Sequence, residues 1–531
     1  MFKKINNLIK YLKTERTRSR KDKINNSNYN KEIIPKKLEV LNGELKVLFE
    51  DSNDFVLRNI TLGNDHGIKI AISYIDGLVD KQIINDNILR PLMIESKNTS
   101  SKNNIDKTFL MGILEYNIIT SSEIKKTSNF KETIEATLSG DTIIYIDGSS
   151  QAFMVSTKGW KARSITEPKT ESVIRGPREG FVETLRTNTS MLRRKIRNPK
   201  LKFENVELGV RTNTEVCICY IKGIADEDVI KTVKRRLSYI DTDAILESGY
   251  IEQFIEDAPL SIFPTIGSSE KPDKVASKLL EGRIAILCDG TPFVLTVPYL
   301  FIESIQTSED YYNRTIFGSV SRFLRFIALL ITTLLPAIYV ALISFHTNVI
   351  PVKLLLSVAE SREGIPFSPL LEALFMLIVF ELLREAGLRM PRPIGQAVSI
   401  VGALVLGDAA VKAGLVSNIM IIIVALTGIC SFIVPAISNS VFTIRILILI
   451  GANILGFLGM LLVLLFLLLH MCSLRSFGVP YMAPFAPFTS NDLKDTLIRL
   501  PLWLMLKRPR ALTWKNSDKY RMEKKTVKKE D

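Results

Sequence analysis

Glu372, Glu381, Arg384, Glu385 and Arg389 stand in or beside one apolar segment of this chain, where a lipid-facing helix would carry no charge. At about 100° per residue, Glu381 and Glu385 share a helical face, Arg384 lies close to them, and Glu372 is nearly opposite. A charge at the centre of a bilayer costs about 2.5–3.5 kcal/mol even on a lenient scale, which argues against lipid exposure of Glu372 or Glu381. Two readings stay open: the group pairs near the interface and fixes helix packing, or it lines a path for an ion or solute. After Pro391 and Pro393 the chemistry changes. Gly395, Ser399 and Gly402 recur at helical spacing, Ala403 and Gly407 add to the small-residue content, and Leu404 belongs to a bulkier opposite side. Small residues let helix backbones approach closely. The alternative is a pore-lining helix, with Leu404 as an apolar constriction that gates by dewetting and Asp408 as an acidic ring. One Asp per subunit makes a ring only in a symmetric oligomer, so the pore reading requires one.

No residue pattern points to catalysis, a metal or a cofactor. His66, His346 and His470 are isolated in sequence, and neither a phosphate-binding loop nor a dinucleotide fingerprint is present. The acids Asp226, Glu227 and Asp228 open a helix, where they favour its positive end. Cys217, Cys219, Cys288, Cys430 and Cys472 are scattered; they read as small buried apolar residues and weakly indicate a reducing compartment. A non-enzymatic role is expected.

The elements that must position these residues divide into two halves. From Phe323 onward, 323–346, 415–437 and 446–471 are long and apolar enough to cross a bilayer. Segments 368–383 and 394–411 are ambiguous, and 349–360 is short enough to be interfacial or re-entrant. Arg322 and Arg325 before the first span, with the Lys/Arg-rich C-terminal end, place both termini inside and require an even number of crossings. No secretory signal opens the chain, so roughly the first 320 residues are expected to be cytosolic.

The soluble half carries a weak duplication. IAISYIDGLVDKQIINDNIL (70–89) is similar to VCICYIKGIADEDVIKTVKRRL (216–237), and DTIIYIDGSSQAFMVST (141–157) to RIAILCDGTPFVLTVP (283–298). The second pair are β-hairpins with Asp-Gly at the bend. The expected fold is an α/β cytosolic N-terminal region of two tandem related subdomains, followed by an all-α multi-span membrane domain. The order is a basic tail (1–37), subdomain one (38–158), a linker with a basic amphipathic helix (159–202), subdomain two (203–300), a membrane-proximal connector (301–322), the helical membrane domain (323–472) and a cytosolic basic tail (473–531). Residues 1–40 contribute a net +8 and 507–531 a net +6, which together make the whole +14 of the chain. Charge confined to the two ends fits an anionic membrane surface and excludes a folded nucleic-acid groove.

Several blocks then resemble one family. RSITEP, RGPREGFVETLRTN, LRRKIRNPKL, EKPDKVASKLLEGRIAILCDGTPFVLTVP, LREAGLRMPRPIGQAVSIVGALVLG and SFGVPYMAPFAP, in order from about 40 to 500, look like the A subunit of GerA-family spore germination receptors. The resemblance implies the spore inner membrane, with the N-terminal region on the core side. It implies partners: a transporter-like B subunit that binds the nutrient, a lipoprotein C subunit, and further copies of this chain, a pentamer in the family. It also implies a nutrient-gated channel for monovalent cations with its constriction at Leu404. Asp408 departs from the Gln frequent in relatives, which leaves the pore chemistry open. The competing readings are a non-conducting membrane scaffold and signal transducer, or ligand binding by the tandem α/β subdomains.

Overall fold

The computed structural model describes residues 33–62, 68–93, 124–160, 171, 173–390, 407–434, 437–489, 492–505, 508–509 and 512. Two compact units divide the chain: residues up to 256 with 266–298 and 501–531, and residues 257–265 with 299–500.

The first unit holds two five-stranded antiparallel sheets with the same strand order, β1-β2-β4-β5-β3 and β6-β7-β9-β10-β8. The first sheet comprises β1 (Phe55–Leu62), β2 (Ile68–Ile75), β3 (Ile124–Thr127), β4 (Asp141–Ile146) and β5 (Ala152–Ser156). Its helices are α1 (Leu38–Leu48), α2 (Lys81–Ile83, running on as the wider helix Ile84–Leu89) and α3 (Phe130–Leu138). The period of two along β2 gives each face its own core. Ile70, Ile72 and Tyr74 pack with Ile84 and Ile88, while Ala71 and Ile75 pack with Leu41, Leu45 and Ile134.

The second sheet comprises β6 (Leu201–Leu208), β7 (Thr214–Ile221), β8 (Gly267–Ser269), β9 (Ile284–Cys288) and β10 (Val294–Val297). With it go α4 (Leu185–Lys195), α5 (Glu227–Ser238), α6 (Ser248–Ile255) and α7 (Pro272–Leu280). Cys217 and Cys219 share one buried face with Leu192, Val275 and Leu279. Four cysteines are buried as expected of small apolar residues, but Cys472 is exposed.

Both hairpins turn at Asp-Gly, and each Asp does a second job. Asp147 accepts the Leu38 amide at 3.0 Å and Asp289 accepts the Leu185 amide at 2.8 Å. The following glycines, at φ +78° and +88°, donate to Lys36 and Glu183 carbonyls at 2.7 and 2.8 Å. Each hairpin therefore caps the N-terminus of its own sheet's first helix, satisfying amides that no helical carbonyl can reach. Within the segment read as a linker with a basic amphipathic helix (159–202), the helix is α4, which opens the second copy as α1 opens the first. Arg193 of α4 also reaches the first copy, bonding Asp54 at 2.8 and 2.9 Å with both side chains buried.

The second unit is helical: α8 (Thr315–Phe345), α9 (Val352–Arg362), α10 (Pro369–Arg389), α11 (Asn418–Ser431), α12 (Ser438–Leu455) and α13 (Phe457–Ser473). Among the described residues α8 and α12 are long and apolar enough to cross a membrane, and α11 and α13 are shorter apolar helices. The apolar run 446–471 is not one straight span. It breaks at Gly456, whose φ of +61° suits a residue without a side chain, and doubles back so that Gly459 meets the Gly451 carbonyl. Segment 349–360 is largely the short helix α9. The C-terminal region is also divided: a small hairpin (Arg475–Ser476 with Val479–Pro480) and the buried Tyr481 belong to the helical unit, whereas Arg508 donates to the Leu280 carbonyl in the first unit.

Candidate functional site

Polar nodes inside an apolar helical unit are the places where chemistry or switching can reside, because each must outweigh its own desolvation. One enclosed node centres on Glu372 in the first turn of α10, which is 0% exposed. One carboxylate oxygen accepts the Ser417 amide at 2.7 Å and its hydroxyl at 2.5 Å; the other accepts Arg362 Nη1 at 2.5 Å. Ser417 is the N-cap of α11 and accepts the Met420 amide at 3.3 Å. The Tyr339 hydroxyl of α8 lies 3.5 Å from the Ser417 hydroxyl. A negative charge at the N-terminus of α11 is favoured by the helix dipole. Glu372 thus ties α9, α10 and α11 at one point.

The other sequence-identified charges pair locally. Glu381 accepts from Arg384 and Glu385 accepts from Arg389, so α10 carries two intrahelical pairs, the first partly buried and the second exposed. Glu372 joins neither. Asp408 pairs with Lys412 one turn on, at 2.6 Å and largely exposed, and a Cβ added at Gly407 would lie 3.9 Å from the Ile421 side chain, an ordinary contact. Gly395, Ser399, Gly402, Ala403 and Leu404 lie outside the described residues, as do His66 and the polar loop 95–106. His470 bonds Ser261 at 2.9 Å, and His346 Nδ1 lies 3.2 Å from the Ala341 carbonyl. Among the described residues no cluster of three His, Cys, Asp or Glu side chains could hold a metal.

Two groups were not singled out in the sequence. At the start of α8, Asp310 accepts Arg322 Nε at 2.8 Å and both Arg325 nitrogens, one at 3.0 Å. Arg322 Nη1 continues to Asp495 at 2.7 Å, and Arg499 Nη1 to the Asn313 carbonyl at 3.0 Å. Burial alone would push the Asp310 carboxyl up; bonds and charge from Arg325 and Arg322 outweigh it and hold it below the usual carboxylate range. In the sequence the two arginines read as orientation signals, and nothing in their spacing indicates a partner some 170 residues later. The second group is Arg445 on α12, 2% exposed, whose Nε donates to the Thr332 carbonyl at 3.0 Å. Its signal was available: a lone arginine in the run FTIRILILI.

The model of the Bacillus/Clostridium GerA spore germination protein family matches residues 43–511, which cover the second unit and most of the first. Spore germination protein KA of Bacillus subtilis (strain 168) is 45% identical over 91% of this chain and 87% of its own length. Spore germination protein GerLA of Bacillus cereus is 40% identical over 88% of this chain and 93% of its own. The crystal structure of the N-terminal domain of the A subunit of the Bacillus megaterium spore germinant receptor GerK3 is 36% identical, covering 51% of this chain and 97% of that domain with a TM-score of 0.40.

Proposed function

Because the chain belongs to the GerA family of spore germination proteins, we propose that it is the A subunit of a nutrient germinant receptor and forms, as a symmetric homo-oligomer, the cation channel whose opening triggers germination. The helical unit spans the spore inner membrane several times, with the N-terminal unit on the core side. A transporter-like B subunit supplies the nutrient site, a lipoprotein C subunit completes the complex, and the chain itself carries no enzymatic activity.

The observation that supports a working membrane unit over a passive anchor is Glu372. An anchor has no use for a fully buried carboxylate, whose desolvation must be offset by an arginine and a helix N-terminus. That node fixes α10 at one end, and α10 runs on in sequence into 391–406, the stretch holding the Leu404 constriction of the channel reading. Closure by an apolar ring at that level, opened by movement of α10, is a mechanism that needs no chemistry beyond packing and solvation.

The test is reconstitution of the complex in potassium-loaded liposomes. Nutrient should release potassium only when this chain is present, and mass measurement in lipid nanodiscs should give several copies of it per particle. A single copy per particle with no nutrient-evoked release would leave the chain a scaffold and end the channel reading.

A further inference from the structure

The exposed side of α10 is a single narrow stripe. Leu371, Phe375, Ile378 and Leu382 are 45–65% exposed, and the exposed Glu385 and Arg389 continue the same line. The opposite side, with Glu372, Ala373, Met376 and Leu377, is buried. Along the stripe the steps alternate between four and three, so 371, 378 and 385 repeat every seven residues, as do 375, 382 and 389. At about 100° per residue all six fall within about 80° of the helix circumference. That is the a/d seam of a coiled coil, the pattern by which one helix packs along another.

α13 presents the other kind of face, the kind that lipid covers. Its exposed residues run from Leu464 through Leu461, Leu458 and Leu462 to Phe466, about 200° of the helix, and it contains no Asp, Glu, Lys or Arg. Lipid tails are as apolar as leucine and require no register, so a broad uncharged face suits them. The α10 stripe is narrow, is spaced for a facing helix, and ends in two charges for which lipid is a poor solvent. The two helices also differ in place, α13 packing mainly on α12 and α10 mainly on α11 and α8. The charges then select the occupant. In two parallel copies of α10 held in register, Glu385 of one lies about 6 Å along the axis from Arg389 of the next, within reach of both long side chains. Acid and base can then alternate from copy to copy while apolar residues meet along the rest of the seam. An antiparallel pair would instead set the charged end against Leu371.

We propose that this stripe is the contact between copies of the chain: α10 packs in parallel along α10 of its neighbours, with Leu371, Phe375, Ile378 and Leu382 as the apolar seam and Glu385 and Arg389 fixing its direction and register. The seam rests on the homo-oligomer reading above and adds to it a surface and an orientation. A parallel seam also brings the stretch that follows α10 to the same level in every copy, which a ring of Leu404 requires.

The test uses the full chain in nanodiscs, with the exposed Cys472 replaced by serine. Leu371→Cys, Ile378→Cys and Leu382→Cys, each introduced singly, should give covalent dimers on oxidation, or with a short bismaleimide where the Cβ atoms stand wider apart than the roughly 3.5–4.5 Å of a disulfide. Leu465→Cys on α13 should give none. The 371 position stands at one end of the seam, so a cysteine there meets its own counterpart only when the helices run parallel. A fluorophore on the 378 cysteine should escape brominated lipid that quenches one at 465. Glu385→Arg sets like charges along the seam and should lose copies per particle by mass measurement, and the E385R/R389E double exchange should restore them. Several copies per particle with no dimers at any of the three positions, or equal quenching at 378 and 465, overturns the seam and leaves the oligomer reading standing. Dimers at 378 but not at 371 overturn its parallel direction. One copy per particle from the native chain ends the oligomer reading and the seam with it.

Discussion

Glu372→Gln isolates the charge of the node that joins α9, α10 and α11. Glutamine keeps the shape and one acceptor oxygen, which can still receive the Ser417 amide and hydroxyl. Its NH2 group then faces Arg362 Nη1, donor against donor, where the carboxylate accepted at 2.5 Å. Loss of that charge-assisted bond costs about 1.5–3 kcal/mol. Loss of the negative charge at the α11 N-terminus adds about 0.3–1 kcal/mol. The sum, about 2–4 kcal/mol, corresponds to a fall in Tm of about 4–16 °C for a unit of this size. Thermal unfolding of the purified chain in nanodiscs measures it. In an Arg362→Met background the cost of E372Q should shrink by about the Arg362 share, 1.5–3 kcal/mol. A Tm within a degree of native, or an undiminished cost in the R362M background, would refute the node as described.

Gly459→Ala places a Cβ 1.9 Å from the Gly451 carbonyl oxygen, a backbone atom that cannot step aside, so α12 and α13 must separate at a cost of about 1–3 kcal/mol or more. Gly43→Ala in α1 meets nothing within 4 Å and should stabilise by up to about 1 kcal/mol in the same assay. Arg193→Ala leaves the buried Asp54 carboxylate unpaired and should cost about 3–5 kcal/mol in thermal unfolding. Arg193→Lys should recover little, because the native guanidinium also donates to the Asn198 and Leu201 carbonyls. Burial, with Glu256 and Glu247 nearby, raises the Glu252 carboxyl to about 7. A folded value above the unfolded one means stability is lost as pH rises from the ordinary carboxylate range through about 7. Glu252→Gln should therefore stabilise at pH near 8 and change nothing near pH 4, read as Tm at the two pH values.

The local devices were legible because their residues are adjacent in sequence. Asp147-Gly148 and Asp289-Gly290 mark the two hairpin bends, Asp80 and Asp226 cap the helices they precede, and alternation along 70–75 separates the two faces of β2. What the sequence could not display is which distant group completes each device. The hairpin aspartates cap helices more than 100 residues away, so the basic amphipathic helix within 159–202 gives no sign that it opens the second copy until that bond is seen. Glu372 was marked as a charge in an apolar segment, yet its partners lie 10 and 45 positions off on other helices. Periodicity assigns a residue to a face but not that face to a neighbour. Gly456 was hidden for a different reason: hydropathy is blind to a single backbone reversal, and GANILGFLG reads as continuous membrane helix until the Gly451–Gly459 contact is visible.

The account stands most directly on Leu404→Ala. If an apolar ring of this residue closes the cation path, removing the side chain should let potassium leave reconstituted liposomes with no nutrient present. The variant should retain native assembly and the native Tm within a few degrees. A folded, correctly assembled L404A complex that is as tight to potassium as the native one, and opens only with nutrient, would contradict the claim that this chain forms the gate.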